Sequence, residues 1–149
     1  MPFKNILFAT DFSKTSSSAL DLARLLKKTD NAQLHIVHVF NPSVFEVPVP
    51  YHFPASGAVW TQENMTQLRD NGKQALVELS NEISDAQTHY LEGRPGPTLC
   101  DFSEKQQIDL IILGSHGYGS IDRLFLGSVA LYVSCHAKCT VMTVKPAFE

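Results

Sequence analysis

No apolar run in this sequence approaches the roughly 20 residues that a membrane-spanning helix requires, so a membrane partner is not expected. The first residues carry neither the apolar core nor the small-residue cleavage site of a secretory signal, and a cytoplasmic location is expected. Cysteine is scarce. Three residues in no paired framework fit a reducing compartment rather than a disulfide scaffold. Cys135-His136-x-x-Cys139 has a metal-like spacing, but no second Cys/His pair at finger spacing completes a ligand set, so no protein metal site is expected. Basic residues are sparse and scattered. With 12 Lys and Arg against 15 Asp and Glu, the formal net charge is -3 and no basic stripe is available to neutralise a nucleic-acid backbone. Nucleic acid is therefore excluded as the main partner. The sequence also lacks internal repeats and low-complexity tracts.

What is present suits one compact unit. A chain of 149 residues, 44% hydrophobic and 18% charged, is large enough for a single domain over 1–149 with one substantial core. The run Lys4 to Ala9 reads as a first strand, ending at Thr10-Asp11. Ser13 is placed to cap a helix whose Ala19, Leu22, Ala23 and Leu26 share one face, and Thr29-Asp30-Asn31 ends it. Leu34 to Phe40, apolar and β-branched on both faces, reads as a central parallel strand. A long helix is expected from about Gln62 to Ile83, with Gly72 an unfavourable residue inside it, costing about 1 kcal/mol relative to Ala. Thr88 to Glu92 reads as a third strand. Arg94-Pro95-Gly96-Pro97 reads as a turn, with Pro97 opening a short helix to about Lys105. Asp109 to Leu113 and Thr140 to Val144 complete the strands, with a helix from Ser128 to about His136 between them. Strands alternating with helices predict an open α/β sandwich with a parallel sheet.

Asn41 to Trp60 breaks this rhythm. Four prolines, a glycine and several aromatics exclude long regular structure, and a segment of this kind in a compact domain is expected to be a lid, a binding loop or a mobile stretch.

The most specific pattern lies near the C-terminus. Gly114-Ser115-His116-Gly117 follows a buried-strand run, and nine residues later Gly127-Ser128-Val129 opens a helix. A strand breaking at glycine and a helix beginning on Gly-Ser place backbone N–H groups around a concavity, where the helix dipole favours an anion, most often phosphate. Gly114 and Gly117 would permit close approach of a ligand to the chain. Two well-known phosphate motifs are absent. There is no Gly-Lys-Ser/Thr for a Walker loop, and Gly117-Tyr118-Gly119 has Asp122 where the dinucleotide fingerprint needs glycine. Ligands of open α/β sheets sit beyond the carboxyl ends of strands, which points also to Ala9-Thr10-Asp11 and to Val39. For Asp11 two roles stand equally: accepting hydrogen bonds from a ribose or adenine, or capping the following helix. His116, inside the loop, is a candidate for phosphate contact, whereas His38 reads as a hydrogen-bonded core residue. No Ser-His-Asp or Cys-His arrangement and no base for rapid hydrolysis is evident.

Gly-x-x-Gly-x9-Gly-Ser, with the early Ala9-Thr10-Asp11-Phe12-Ser13, resembles the ATP-binding branch of the universal stress protein family. Ile36-Val37-His38-Val39 resembles the family's second strand and Glu92-Gly93-Arg94-Pro95 its third-strand exit. The likeness runs through nearly the whole chain. It implies a five-stranded parallel sheet of order 3-2-1-4-5 with helices on both faces, and ATP at the switch point. By this resemblance Asp11 and the backbone of Val39 face the adenosine, with Ala9 and Thr10 beside them. Gly114, flanked by Ser115 and His116, lies by the ribose, and Gly117, Gly127, Ser128 and Val129 cradle the phosphates. The Ser128 hydroxyl would bond a phosphate or cap its helix. A divalent cation, Mg2+ or Mn2+, would ride on the phosphates. One departure stands out: Tyr118 occupies a position where many relatives carry a basic residue, and Arg123 in the same loop is the available substitute. The resemblance further implies a homodimer through the last strand, Thr140 to Val144, which would be an apolar sheet edge. Three functions are compatible with these residues: an ATP-binding regulatory module, which is the favoured one, a slow ATPase or self-phosphorylating enzyme, and a non-binding interaction protein of the same fold.

Overall fold

The computed structural model describes residues 2–45, 62–116 and 126–146. The elements follow in the order β1 (Asn5–Ala9), α1 (Lys14–Asp30), β2 (Gln33–Phe40), a short 3-10 turn (Pro42–Phe45), α2 (Gln62–Glu82), β3 (Ala86–Glu92), α3 (Pro95–Lys105), β4 (Leu110–Gly114), α4 (Ser128–His136) and β5 (Thr140–Val144). The strands form one parallel sheet in the order β3-β2-β1-β4-β5. Consecutive parallel strands require crossovers, and each is supplied by a helix.

Alternation along the strands sorts side chains to two cores. Ile6 and Phe8 of β1, Leu34 and Ile36 of β2, and Leu110 and Ile112 of β4 pack under Ala19 and Ala23 of α1 and Leu76 of α2. Leu7, Val37 and Ile111 pack on the other face against Leu99 and Cys100 of α3 and Ala130 and Val133 of α4. Most of these side chains are fully enclosed, each contributing about 1.5–3 kcal/mol by removal from water. Burial on both faces is why the central strands read as continuous apolar runs. The outer strand β3, with Gln87 and Thr88 exposed, carries no such run, and its first two residues, Ala86 and Gln87, escape the sequence reading.

Ser13 caps α1 as expected: its hydroxyl accepts the Ser16 amide, and Asn31 closes the helix in a left-handed conformation. The start of α3 needs a correction. The helix begins at Pro95, not Pro97, because Pro95 already has the backbone angle of a first helical position and lacks the amide that position would leave unpaired. Gly96 is then a packing residue, since a Cβ there would sit 2.7 Å from the Tyr132 ring of α4. Gly72 also has a reason: a Cβ would lie 3.1 Å from the Tyr90 ring and 3.5 Å from that of His38. The helix accepts a poor helix former so that α2 can lie close over β2 and β3.

The expected irregular segment from Asn41 to Trp60 is described only at its start. Asn41 accepts the amide and hydroxyl of Ser43, which fixes the 3-10 turn, while residues 46–61 lie outside the described residues.

Candidate functional site

Strand order reverses between β1 and β4, since the chain builds outward from β1 to β3 on one side and from β4 to β5 on the other. Crevices of this kind, beyond the carboxyl ends of the strands, are where open α/β sheets bind ligands. Pairing of Ala9 with Leu113 and with Val37 brings the exits of β1, β4 and β2 to one edge.

At the β1 exit the polar atoms of Thr10 are engaged within the protein. Its amide donates to the Val37 carbonyl (2.9 Å), and its hydroxyl accepts the Phe12 amide (3.0 Å) and meets the Ser16 hydroxyl at 3.2 Å. Its carbonyl accepts the Nδ1–H of His38 (2.9 Å). Thr10 is buried and holds the turn together. Asp11 is not the helix cap, which is Ser13. Its Oδ1 instead accepts the Ser13 amide (2.9 Å), an Asx turn that sets up the cap.

At the β4 exit Gly114 is packed tightly against α1. A Cβ there would lie 3.0 Å from the Thr15 Cγ2 and 3.3 Å from the Thr15 backbone, so the first turn of α1 can rest on the strand. Ser115 is buried, its amide bound to the Val144 carbonyl of β5 (2.9 Å) and its carbonyl accepting the Gly127 amide (2.7 Å). Ser115 thus links the N-cap of α4 to the end of β5. The Ser115 hydroxyl lies 2.8 Å from Nδ1 of His116, and the other ring nitrogen, Nε2, is buried with no hydrogen-bond partner among the described residues. A buried imidazole nitrogen without a partner is costly unless something polar meets it.

The N-cap of α4 is Gly127, with φ -61 and ψ 156, not Ser128. Ser128 already has helical geometry, so its hydroxyl is not the cap, and among the described residues no side chain caps this helix. Intrahelical bonding starts with the Leu131 amide on the Gly127 carbonyl (2.8 Å), leaving the amides of Ser128, Val129 and Ala130 without intrahelical acceptors. Ala9, Val39 and Val129 pack half-buried at the margin of the α3/α4 core, a small apolar surface on the same face. Gly117, Tyr118 and Arg123 lie outside the described residues.

Three features escape the sequence reading. His38 is hydrogen-bonded as expected, but its partner is the Thr10 carbonyl in the turn itself. Nδ1 of His35 and Nε2 of His89 meet at 3.1 Å beneath Phe102 of α3. Burial holds both imidazoles below their ordinary range, and the neighbouring His89 lowers His35 further. Cys100 and Cys139 are likewise pushed up by burial, which disfavours their thiolates. In the Cys135-His136-x-x-Cys139 segment the His136 Nδ1–H donates to the Tyr132 carbonyl (2.8 Å). Among the described residues no three His, Cys, Asp or Glu side chains gather as a metal would require.

Comparison with known proteins places this geometry in context. The universal stress protein family matches residues 2–145. Universal stress protein A homolog 1 of Coxiella burnetii is 33% identical over 146 residues, covering 97% of each chain. Universal stress protein MJ0531 of Methanocaldococcus jannaschii is 32% identical over 148 residues, covering 96% of this chain and 82% of the relative. Among solved structures, the universal stress protein UspA of Lactobacillus plantarum superposes with a TM-score of 0.72 at 27% identity, over 97% of this chain and 99% of that one. The same fold is shared by a universal stress protein in complex with cAMP (TM-score 0.63, 22% identity, 99% and 100% covered). It is shared also by the family protein At3g01520 of Arabidopsis thaliana with AMP bound (TM-score 0.60, 17% identity, 97% and 92% covered). The chain belongs to the universal stress protein family.

Proposed function

We propose that this protein binds an adenine nucleotide, ATP, at the C-terminal edge of the sheet and works as a cytoplasmic regulatory module of the stress response, with 1–149 as one domain. The observation that carries this reading is the N-terminus of α4: three amides without intrahelical acceptors, no capping side chain among the described residues, and an N-cap amide tied to the Ser115 carbonyl. The positive end of the helix dipole adds to the pull on an anion there. In this reading Gly117, Gly127, Ser128 and Val129 hold the phosphates, and the buried Nε2 of His116 supplies one further polar contact. Ala9 and Val39 give the base an apolar surface, Asp11 meets the nucleoside, and Thr10, Gly114 and Ser115 shape the crevice. The cAMP and AMP complexes of relatives favour adenine as the base. A divalent cation, Mg2+ or Mn2+, would be held chiefly by the phosphates themselves.

The test is direct. The protein is purified without added nucleotide and denatured, and any released small molecule is identified by chromatography and mass. ATP at near one per chain supports the reading. A blank, followed by no ATP binding in calorimetry, refutes it. A homodimer through β5 belongs to the same proposal, since Val141, Met142 and Val144 are only partly covered on this edge strand. A monomeric mass by light scattering at micromolar protein refutes that part.

A further inference from the structure

His38 is held from several sides at the mouth of the crevice. Its ring meets that of Phe12 at a tilt, 4.6 Å between centroids, and lies 5.8 Å from that of Tyr90, with the backbone of Gly72 in α2 close above. Its Nδ1 must carry a proton, because the atom it meets at 2.9 Å is the Thr10 carbonyl, which can only accept. Phe12 has φ 62, a left-handed conformation that a bulky residue keeps only where its surroundings over-determine it. The surroundings do so here: the Phe12 amide is tied to the Thr10 hydroxyl and its ring rests on His38. One imidazole therefore pins the carbonyl immediately before Asp11 and braces the strained residue immediately after it.

We infer that His38 is a positioning residue for the nucleoside end of the site, acting through the Thr10-Asp11-Phe12 turn rather than by touching the ligand. This rests on the nucleotide reading above, in which Asp11 meets the adenosine. The role needs an N–H at the Nδ1 position and a flat ring or amide beneath Phe12. Asparagine supplies a donor at the place of Nδ1; leucine supplies bulk without one.

The experiment measures binding of ATP, adenosine and inorganic tripolyphosphate by calorimetry to the wild-type chain, His38→Leu and His38→Asn. His38→Leu is expected to weaken ATP and adenosine about tenfold, the value of one well-placed hydrogen bond, while tripolyphosphate binds as before. His38→Asn is expected to recover most of the loss. Unchanged adenosine binding in His38→Leu overturns the assignment, as does equal weakening of all three ligands or failure of asparagine to rescue. A wild-type chain that binds none of the three overturns the nucleotide reading itself and this assignment with it. Should His38→Leu not fold, long-range 1H–15N spectra of the wild-type chain decide the matter. A proton on Nδ1 supports the pinning, and one confined to Nε2 overturns it.

Discussion

The helices α1 and α4 both begin at the C-terminal edge of the sheet, and they are finished in opposite ways. At α1 the chain closes its own helix. Ser13 accepts the Ser16 amide, Asp11 accepts the Ser13 amide, and Thr10 ties the turn to β2. At α4 the cap is a glycine with nothing to offer, and the first three amides have no intrahelical acceptors. The N-terminus of α3 shows a third arrangement, in which Pro95 and Pro97 delete two of the amides that would otherwise need partners. Among the described residues, one edge of one sheet thus holds a capped start, a start stripped of donors and a start left open. Only the open one suits a ligand that is itself an acceptor. The choice of cap residue is what distinguishes the three starts, and under the proposed function it distinguishes scaffold from site.

The comparison breaks if α4 is made to resemble α1. Gly127→Asp would place a carboxylate where Ser13 stands in α1, at backbone angles that any residue adopts. The helix should gain a few tenths of a kcal/mol, while the new charge occupies and repels the phosphate position, weakening ATP by about 100-fold or more. Binding of adenosine should change little. Calorimetry and a thermal melt on the same variant check both halves, and ATP affinity equal to wild type would remove α4 from the site.

A gentler change makes α4 resemble α3. Ser128→Pro puts proline at the first helical position, where the preceding residue already has the extended angles that proline demands. It deletes one amide and one hydroxyl without disturbing the helix. Loss of one or two charge-assisted bonds predicts ATP weakened about 10- to 30-fold at unchanged melting temperature. The reciprocal control is Ser13→Ala, which removes the cap of α1. It should lower stability by about 0.5–1 kcal/mol in denaturant unfolding, toward the small end because the capping bond is long at 3.4 Å, and leave tripolyphosphate binding alone.

These helix ends show which parts of the molecule can be read from sequence. Gly127-Ser128 after a fixed spacing marks the start of α4, and the bounds of α4 and β5 are as expected because local punctuation sets them. The cap of α1 is legible for the same reason. What is not legible depends on pairing across the sheet. Nothing local says that His38 meets Thr10 28 residues away, or that His35 meets His89 across β2 and β3. Gly72 looks like a defect until Tyr90 and His38 are brought beneath it. Gly114 reads as a ligand glycine, and nothing local says that it also lies against Thr15 of a helix 99 positions earlier in the chain. Residue types announce chemistry; the neighbour that uses it is supplied by topology.

The smallest expected effect sharpens the contrast between the two faces of the sheet. The α1/α2 face is closed mainly by apolar contacts, whereas the α3/α4 face encloses the His35–His89 pair under Phe102. Two neutral imidazoles share one N–H across 3.1 Å, and protonating the acceptor would replace that bond with two opposed donors. Both folded values lie below the ordinary 6.5, so the unfolded chain binds more protons in the interval between. Stability from this pair is therefore complete above 6.5 and is lost as pH falls from there through the lower folded values. The charged side chains of α3, Asp101, Glu104 and Lys105, are exposed, and Glu104 is paired with Lys138 (2.9 Å). Melting temperature should fall between about pH 7.5 and about pH 5.5 in the wild-type chain, and fall less in His89→Phe, which keeps the ring and removes the proton site. Amide exchange in acid should loosen α3 before α1. An equal pH slope in both proteins would mean that the pair sits on the face without governing it.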